Sequence, residues 1–96
     1  MKQKIIDGFS YIKASKTRKK TLMALDENIL IPSEISKITN VSPSHTSRAL
    51  RQLEENNLIQ CLNPEKRVGR LFVTTSLGKS VLNCFKKYTT LNNIKK

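Results

Sequence analysis

Residues 32–59 read PSEISKITNVSPSHTSRALRQLEENNLI, and the arrangement of the rest of the chain follows from this stretch. It divides into two helices around a tight turn. Ile35 and Ile38 stand three apart, so a short helix opening after Ser33 turns both toward an interior. Asn40 and Val41 interrupt that pattern, and Ser42-Pro43 starts a second helix over about residues 43–56. The Ser42 hydroxyl can accept from a free backbone N–H of the first turn, and Pro43 suits the first helical position, where no N–H is needed. Thr46, Ala49, Leu50 and Leu53 recur at helical spacing and form the inward stripe. Ser44, His45, Ser47, Arg48, Arg51 and Gln52 fall on the opposite face, while Glu54 and Glu55 come only at the far end. The outer face of the first two turns thus has hydrogen-bonding and cationic groups and no acid.

Composition bounds what such a face can meet. Ninety-six residues make a single domain, with one modest core that hides roughly 60–70% of the unfolded surface. Eighteen Lys and Arg against seven Asp and Glu give a net charge of +11, which favours polyanionic partners. Nucleic acid is the first candidate and an anionic membrane surface the second. No apolar run approaches the ~18 residues of a membrane span, and the N-terminus lacks the apolar core of a signal peptide, so the expectation is a cytoplasmic protein. Cys61 and Cys84 stand alone, without ligand spacing. They suggest a reducing interior and read first as small buried apolar residues, with a disulfide, a redox switch or a metal site as alternatives.

Working outward, Ile5, Ile6, Phe9 and Ile12 fit an amphipathic helix within residues 1–15, although Gly8 weakens it. That segment reads as an extra core-packing or dimer-forming element; a flexible basic arm through Lys2, Lys4 and Lys13 is the alternative. A helix from Ser15 or Lys16 to about Asp26 has Leu22, Met23 and Leu25 as its apolar side. Lys16, Arg18, Lys19 and Lys20 crowd its start, the end where the helix dipole favours anions. This cluster is either solvated or placed to meet phosphate. Ile29, Leu30 and Ile31 precede Pro32, which favours extended backbone before it.

Residues 58–63 and 70–75 read as two strands, with Asn63-Pro64 opening their connection and Gly69 closing it. The connection is basic, since Lys66, Arg67 and Arg70 outnumber Glu65; Val68 reads as filler. Thr75 caps a last helix with the stripe Gly78, Val81, Leu82, Phe85 and Tyr88, and Leu91 is a candidate continuation. Gly78 near a helix start implies close packing of backbones. The stripe exceeds what a small three-helix core needs, so residues 83–96 are expected to contribute to a homodimer, with 92–96 as a frayed tail.

Several of these pieces together resemble the winged helix–turn–helix transcriptional regulators, most closely small archaeal members related to the MarR and ArsR groups. The matching runs are PSEI from Pro32, VSPSHTSRALRQLEE from Val41, LIQCLNP from Leu58, GRL from Gly69, and Thr75 with Gly78; the resemblance covers roughly residues 14–82. Asn57 stands where the family usually has Gly, and Leu77 replaces a usually polar residue, leaving a candidate exposed apolar side chain. The resemblance implies an α+β, mainly helical fold of three core helices and a β-hairpin wing at residues 64–70, with flanking helices and a short strand before Pro32 pairing with the wing. It also implies a sequence-specific regulator of double-stranded DNA.

The physics of DNA contact then divides the labour. Ser44, His45, Ser47 and Arg48 lie where base edges come into reach, with Arg48 suited to guanine because its fork satisfies O6 and N7 together. Arg51 is set to hold a phosphate or to pair with Glu55 one turn on. Ser33, Lys37 and Ser42 sit near helix starts for backbone phosphate. Lys66, Arg67 and Arg70 suit the backbone or a narrow minor groove. A single histidine, no acid pair with an obvious partner and no Gly-rich phosphate loop argue against an enzyme, and no cofactor or metal is expected. Other readings are a protein-interaction or RNA-binding winged helix, or a non-specific architectural DNA-binding protein. A small-molecule effector in a dimer cleft stays open.

Overall fold

The computed structural model describes residues 2–94, in the order α1 (Lys2–Lys13), α2 (Lys16–Ala24), α3 (Pro32–Thr39), α4 (Pro43–Glu55), β1 (Ile59–Cys61), β2 (Phe72–Thr74) and α5 (Ser76–Ile94). This is the mainly helical winged helix–turn–helix architecture, with α3 and α4 as the motif and the hairpin as the wing. Local chemistry sets most of the boundaries. Ser15 Oγ accepts from the Arg18 N–H at 3.3 Å and opens α2. Ser42 Oγ does the same for the His45 N–H at the start of α4, with Pro43 next in line. Thr75 Oγ1 accepts from the Gly78 N–H at 3.0 Å and itself donates to the Asn57 carbonyl, so one hydroxyl opens α5 and ties it to the end of α4.

α3 opens at Pro32, earlier than the sequence suggests, because the Glu34 carboxylate reaches back to accept the Ile31 N–H at 3.0 Å. Asn40, at φ 57°, stops it in the left-handed conformation. Glu27 and Asn57 take the same conformation, at φ 62° and 60°.

One core joins every element. Leu22 and Leu25 of α2, Ile35 of α3, Leu50 and Leu53 of α4, Leu58 and Ile59, Phe72, and Val81, Leu82 and Phe85 of α5 form a single cluster completed by Ile12 of α1. Burial of each such side chain is worth about 1.5–3 kcal/mol. The buried hydroxyls are all satisfied: Thr21 donates to Thr17 O, Thr39 to Ile35 O, and Thr74 to Leu25 O, while Thr46 accepts from Ser36. An orphaned hydroxyl there would cost about 1–3 kcal/mol.

β1 and β2 are shorter than the two runs that suggest them, pairing Ile59 with Thr74, Gln60 with Val73 and Cys61 with Phe72. Beyond Cys61 the Asn63 side chain takes over, its Oδ1 accepting the Leu71 N–H at 2.8 Å. Leu30 adds the expected short bridge, exchanging two backbone hydrogen bonds with Phe72.

Six expectations change. Ile38 is 60% exposed, because α3 turns Ser36 and Thr39 toward the interior beside Ile35, and the Ser36–Thr46 hydrogen bond holds that rotation. Met23 is 50% exposed for a similar reason: α2 buries Thr21, Leu22 and Ala24 instead. Gly8 supports α1 rather than weakening it, since a Cβ there would meet Val81 Cγ2 at 2.7 Å, so its absence lets α1 cross α5. A Cβ at Gly78 would meet the Leu58 carbonyl oxygen even more closely, as the close packing of backbones implies. Leu77 packs half-buried against the core, and α5 continues through Asn92 to Ile94 where a tail was expected. The continuation of the stripe at Leu91 lies outside the described side chains. Cys61 and Cys84 are free thiols and half-buried, not sealed in the core.

At the α1–α5 junction Phe9 stacks on Phe85 at 4.4 Å between centroids and meets Tyr88 edge-on. Lys86 pairs with Asp26 at 2.8 Å, and that hydrogen bond, with the attraction between the charges, raises the lysine above its usual pKa.

Candidate nucleic-acid interface

The outward face of α4 has the composition its spacing implies. Thr46, Ala49, Leu50 and Leu53 are buried, while Ser44, His45, Ser47, Arg48 and Arg51 are exposed. Ser42 organises the first turn: its Oγ lies 3.0 Å from His45 Nδ1 and 3.5 Å from Ser44 Oγ. When Ser42 donates to Nδ1, the histidine has its proton on Nε2, free to donate outward. Among the described residues Arg51 forms no ion pair with Glu55, which leaves its guanidinium available. Ser33 is exposed in the first turn of α3, whereas Lys37, expected near a helix start, is exposed in the last turn of that helix.

The wing treats its cations unequally. Lys66 and Arg67 are exposed, but Arg70 folds back and is half-buried. Its Nε donates to the Lys66 carbonyl at 2.7 Å and one terminal nitrogen to the Pro64 carbonyl at 3.0 Å. Asn63 Nδ2 donates to the Gly69 carbonyl, and Gly69 takes φ 73°. Arg70 thus holds the loop in shape from inside while Lys66 and Arg67 project from it.

One feature near α4 goes beyond the sequence reading. Gln52 is half-buried, not solvated with the rest of its face, because its Oε1 accepts from Arg18 Nε of α2 at 3.2 Å. Arg18 also donates to the Tyr11 carbonyl and lies 3.9 Å over the Tyr11 ring. Beside it opens a cavity of about 210 Å³ lined by Ser15, Thr17, Arg18, His45, Arg48 and Gln52. The basic run at residues 16–20 and the recurrence of polar residues at 45, 48 and 52 are its only traces in the sequence.

No three His, Cys, Asp or Glu side chains come together among the described residues, and no described helix is long and apolar enough to cross a membrane.

Residues 15–60 match the family described as bacterial regulatory protein, arsR family. Among solved structures, the chain is similar to Lactococcus lactis ZitR with a cysteine and a histidine each replaced by alanine. The identity is 27% and the TM-score 0.62, covering 82% of this chain and 53% of that one. It is also similar to wild-type ZitR in complex with DNA, at 25% identity and TM-score 0.60 over 83% of this chain and 59% of that one. The apo form of the same double mutant superposes at TM-score 0.64 and 24% identity over 94% and 70%, a likeness of fold. The chain thus spans just over half the length of the first of these relatives. Among curated protein sequences none matches it.

Proposed function

We propose that this chain, whose residues 15–60 form an ArsR-family helix–turn–helix segment, is a sequence-specific double-stranded DNA-binding regulator of transcription. The observation that carries the reading is the two-sided α4: one side sealed in the core, the other an exposed, acid-free row of Ser44, His45, Ser47 and Arg48. The first two turns enter the major groove, where Arg48 reads a guanine and the serines and His45 meet base edges or phosphate. Arg51, Ser33, Lys37 and Ser42 hold backbone phosphates on either side. Lys66 and Arg67 of the wing follow the backbone or the neighbouring minor groove, with Arg70 shaping the loop they stand on. One solved relative, ZitR, is seen in complex with DNA, and the +11 charge suits the same partner.

The working form is a homodimer built on α1 and α5, where Ile6 and Tyr88 are 54% and 42% exposed beside the Phe9–Phe85 stack. Its operator is then an imperfect palindrome with half-site centres about one helical turn apart. A cytoplasmic location follows from that partner. Kinship with the MarR group and an archaeal source, both drawn from the motif resemblance, belong to the same proposal. Selection of bound duplexes from a random pool tests it. An enriched palindromic motif is the expected result, and retention of random duplex with no enrichment overturns sequence specificity in favour of architectural binding.

A further inference from the structure

We infer that the cavity between the start of α2 and the outer face of α4 is a phosphate seat that takes one phosphodiester of the DNA backbone at the edge of the groove α4 enters. The inference rests on the DNA-binding reading and adds to it a site on α2, outside the helix–turn–helix pair and the wing.

The residues that line it are polar or cationic, namely Ser15, Thr17, Arg18, His45, Arg48 and Gln52, with Ala49 the one apolar member, and no acidic residue is among them. Two arginines converging on one hollow without an acid are an unneutralised positive site. Arg18 makes this pointed. Its partners are the Gln52 amide oxygen, the Tyr11 carbonyl and the Tyr11 ring, all formally neutral, so it is held in place while its whole charge persists. The first-turn N–H groups of Lys16 and Thr17 have no intrahelical acceptor, and Thr17 itself lines the hollow.

Geometry favours the backbone of a duplex over a base edge. The seat is flanked by His45 and Arg48, which belong to the groove-facing turns of α4, so a strand bordering that groove passes over α2. Neutral donors such as Ser15 and Thr17 beside fixed cations suit a tetrahedral oxyanion. Arg18 acts here as a positioning residue as well, since it ties α2 to α4 across 34 positions of sequence.

Thr17→Glu is the decisive variant. A carboxylate in the first turn favours the helix, so folding is kept, while the seat is filled with negative charge. Thr17→Gln controls for bulk. The full chain is titrated with its selected duplex over a range of salt, then with duplexes carrying a neutral methylphosphonate at one backbone position at a time. Expected results are a tenfold or greater loss of affinity for Thr17→Glu and a salt slope flatter by about 0.9 for each seat engaged. One methylphosphonate position should weaken the parent and Thr17→Gln but leave Thr17→Glu indifferent, because the contact is already gone. The Lys16 and Thr17 amide resonances should move with duplex and lose that shift with the same methylphosphonate.

Binding by the parent with no methylphosphonate position coupled to residue 17, and no shift of those amides, overturns the seat and leaves DNA binding standing. No duplex binding by the parent overturns the DNA-binding reading itself. Inorganic phosphate is then added alone: amide shifts abolished by Thr17→Glu assign the seat to free phosphate and overturn the backbone assignment. Absence of shifts overturns the site altogether.

Discussion

The two surfaces proposed to meet DNA, α4 and the wing, both carry arginine, and they hold it on different terms. On α4 the cations stand on a helix anchored from behind by Leu50 and Leu53, and Arg48 and Arg51 project outward. The wing has no core of its own, with Val68 87% exposed at its tip, so its shape comes from side chains hydrogen-bonded to loop carbonyls, and Arg70 is one of them. The difference teaches that a cation's availability depends on what else must hold its backbone in place. Where burial does that, the charge is free to meet a ligand; where it does not, a cation is drawn inward.

The largest effect that breaks this contrast removes the anchor. Leu53→Ala, at a position 0% exposed, should lower stability by about 2–5 kcal/mol in urea unfolding. A loss below about 1 kcal/mol would mean that α4 is not held by its buried side. Next comes the reading group itself. Arg48→Ala should cost about 1–3 kcal/mol on the selected duplex and blur the preference at one base pair, with an unchanged melting temperature. A matching loss on every sequence would reassign Arg48 to phosphate.

Within the wing the two arginines should separate. Arg67→Ala weakens binding to all duplexes evenly and flattens the salt slope by about 0.9, with the loop's hydrogen exchange unaltered. Arg70→Ala speeds exchange at Lys66 and Gly69 and destabilises the loop by roughly 1 kcal/mol. Identical behaviour of the two variants in both measurements would erase the distinction drawn between them. The smallest effect is expected at Val68→Ser, within about ±0.5 kcal/mol in stability, since its side chain is almost wholly in solvent.

What could be read from the sequence follows from the range over which the deciding interactions act. The division of α4 into a sealed face and an open one was legible because helical spacing and the Ser42-Pro43 start are local. The same holds for Thr75, and for Asn57 in a left-handed turn. Rotation of a helix about its own axis is not local. Ile38 and Met23 were expected inside because they are apolar and near apolar neighbours. The rotation of α3 is held by the bond between Ser36 and Thr46, ten residues away. The inward turn of Arg70 was not legible because its partners are backbone carbonyls, which have no letter in a sequence. Arg18 and Gln52 are 34 residues apart, and the basic run around Arg18 reads equally well as a solvated surface. The candidate face of α4 was therefore legible in outline, and the hollow it shares with α2 was not.

The left-handed turns have a mechanical consequence. Among the described residues, Glu27, Asn40 and Asn57 take positive φ within the helical frame, whereas the single glycine that does so, Gly69, lies in the wing. A side-chain-bearing residue occupies a narrow left-handed well, and glycine a broad one. The joints at Glu27, Asn40 and Asn57 are thus stiff hinges, while the wing has a freer joint at Gly69 and takes its shape from the side-chain hydrogen bonds of Asn63 and Arg70. On meeting an uneven duplex, the frame should dock without bending, and the accommodation of local groove width falls to the hairpin alone.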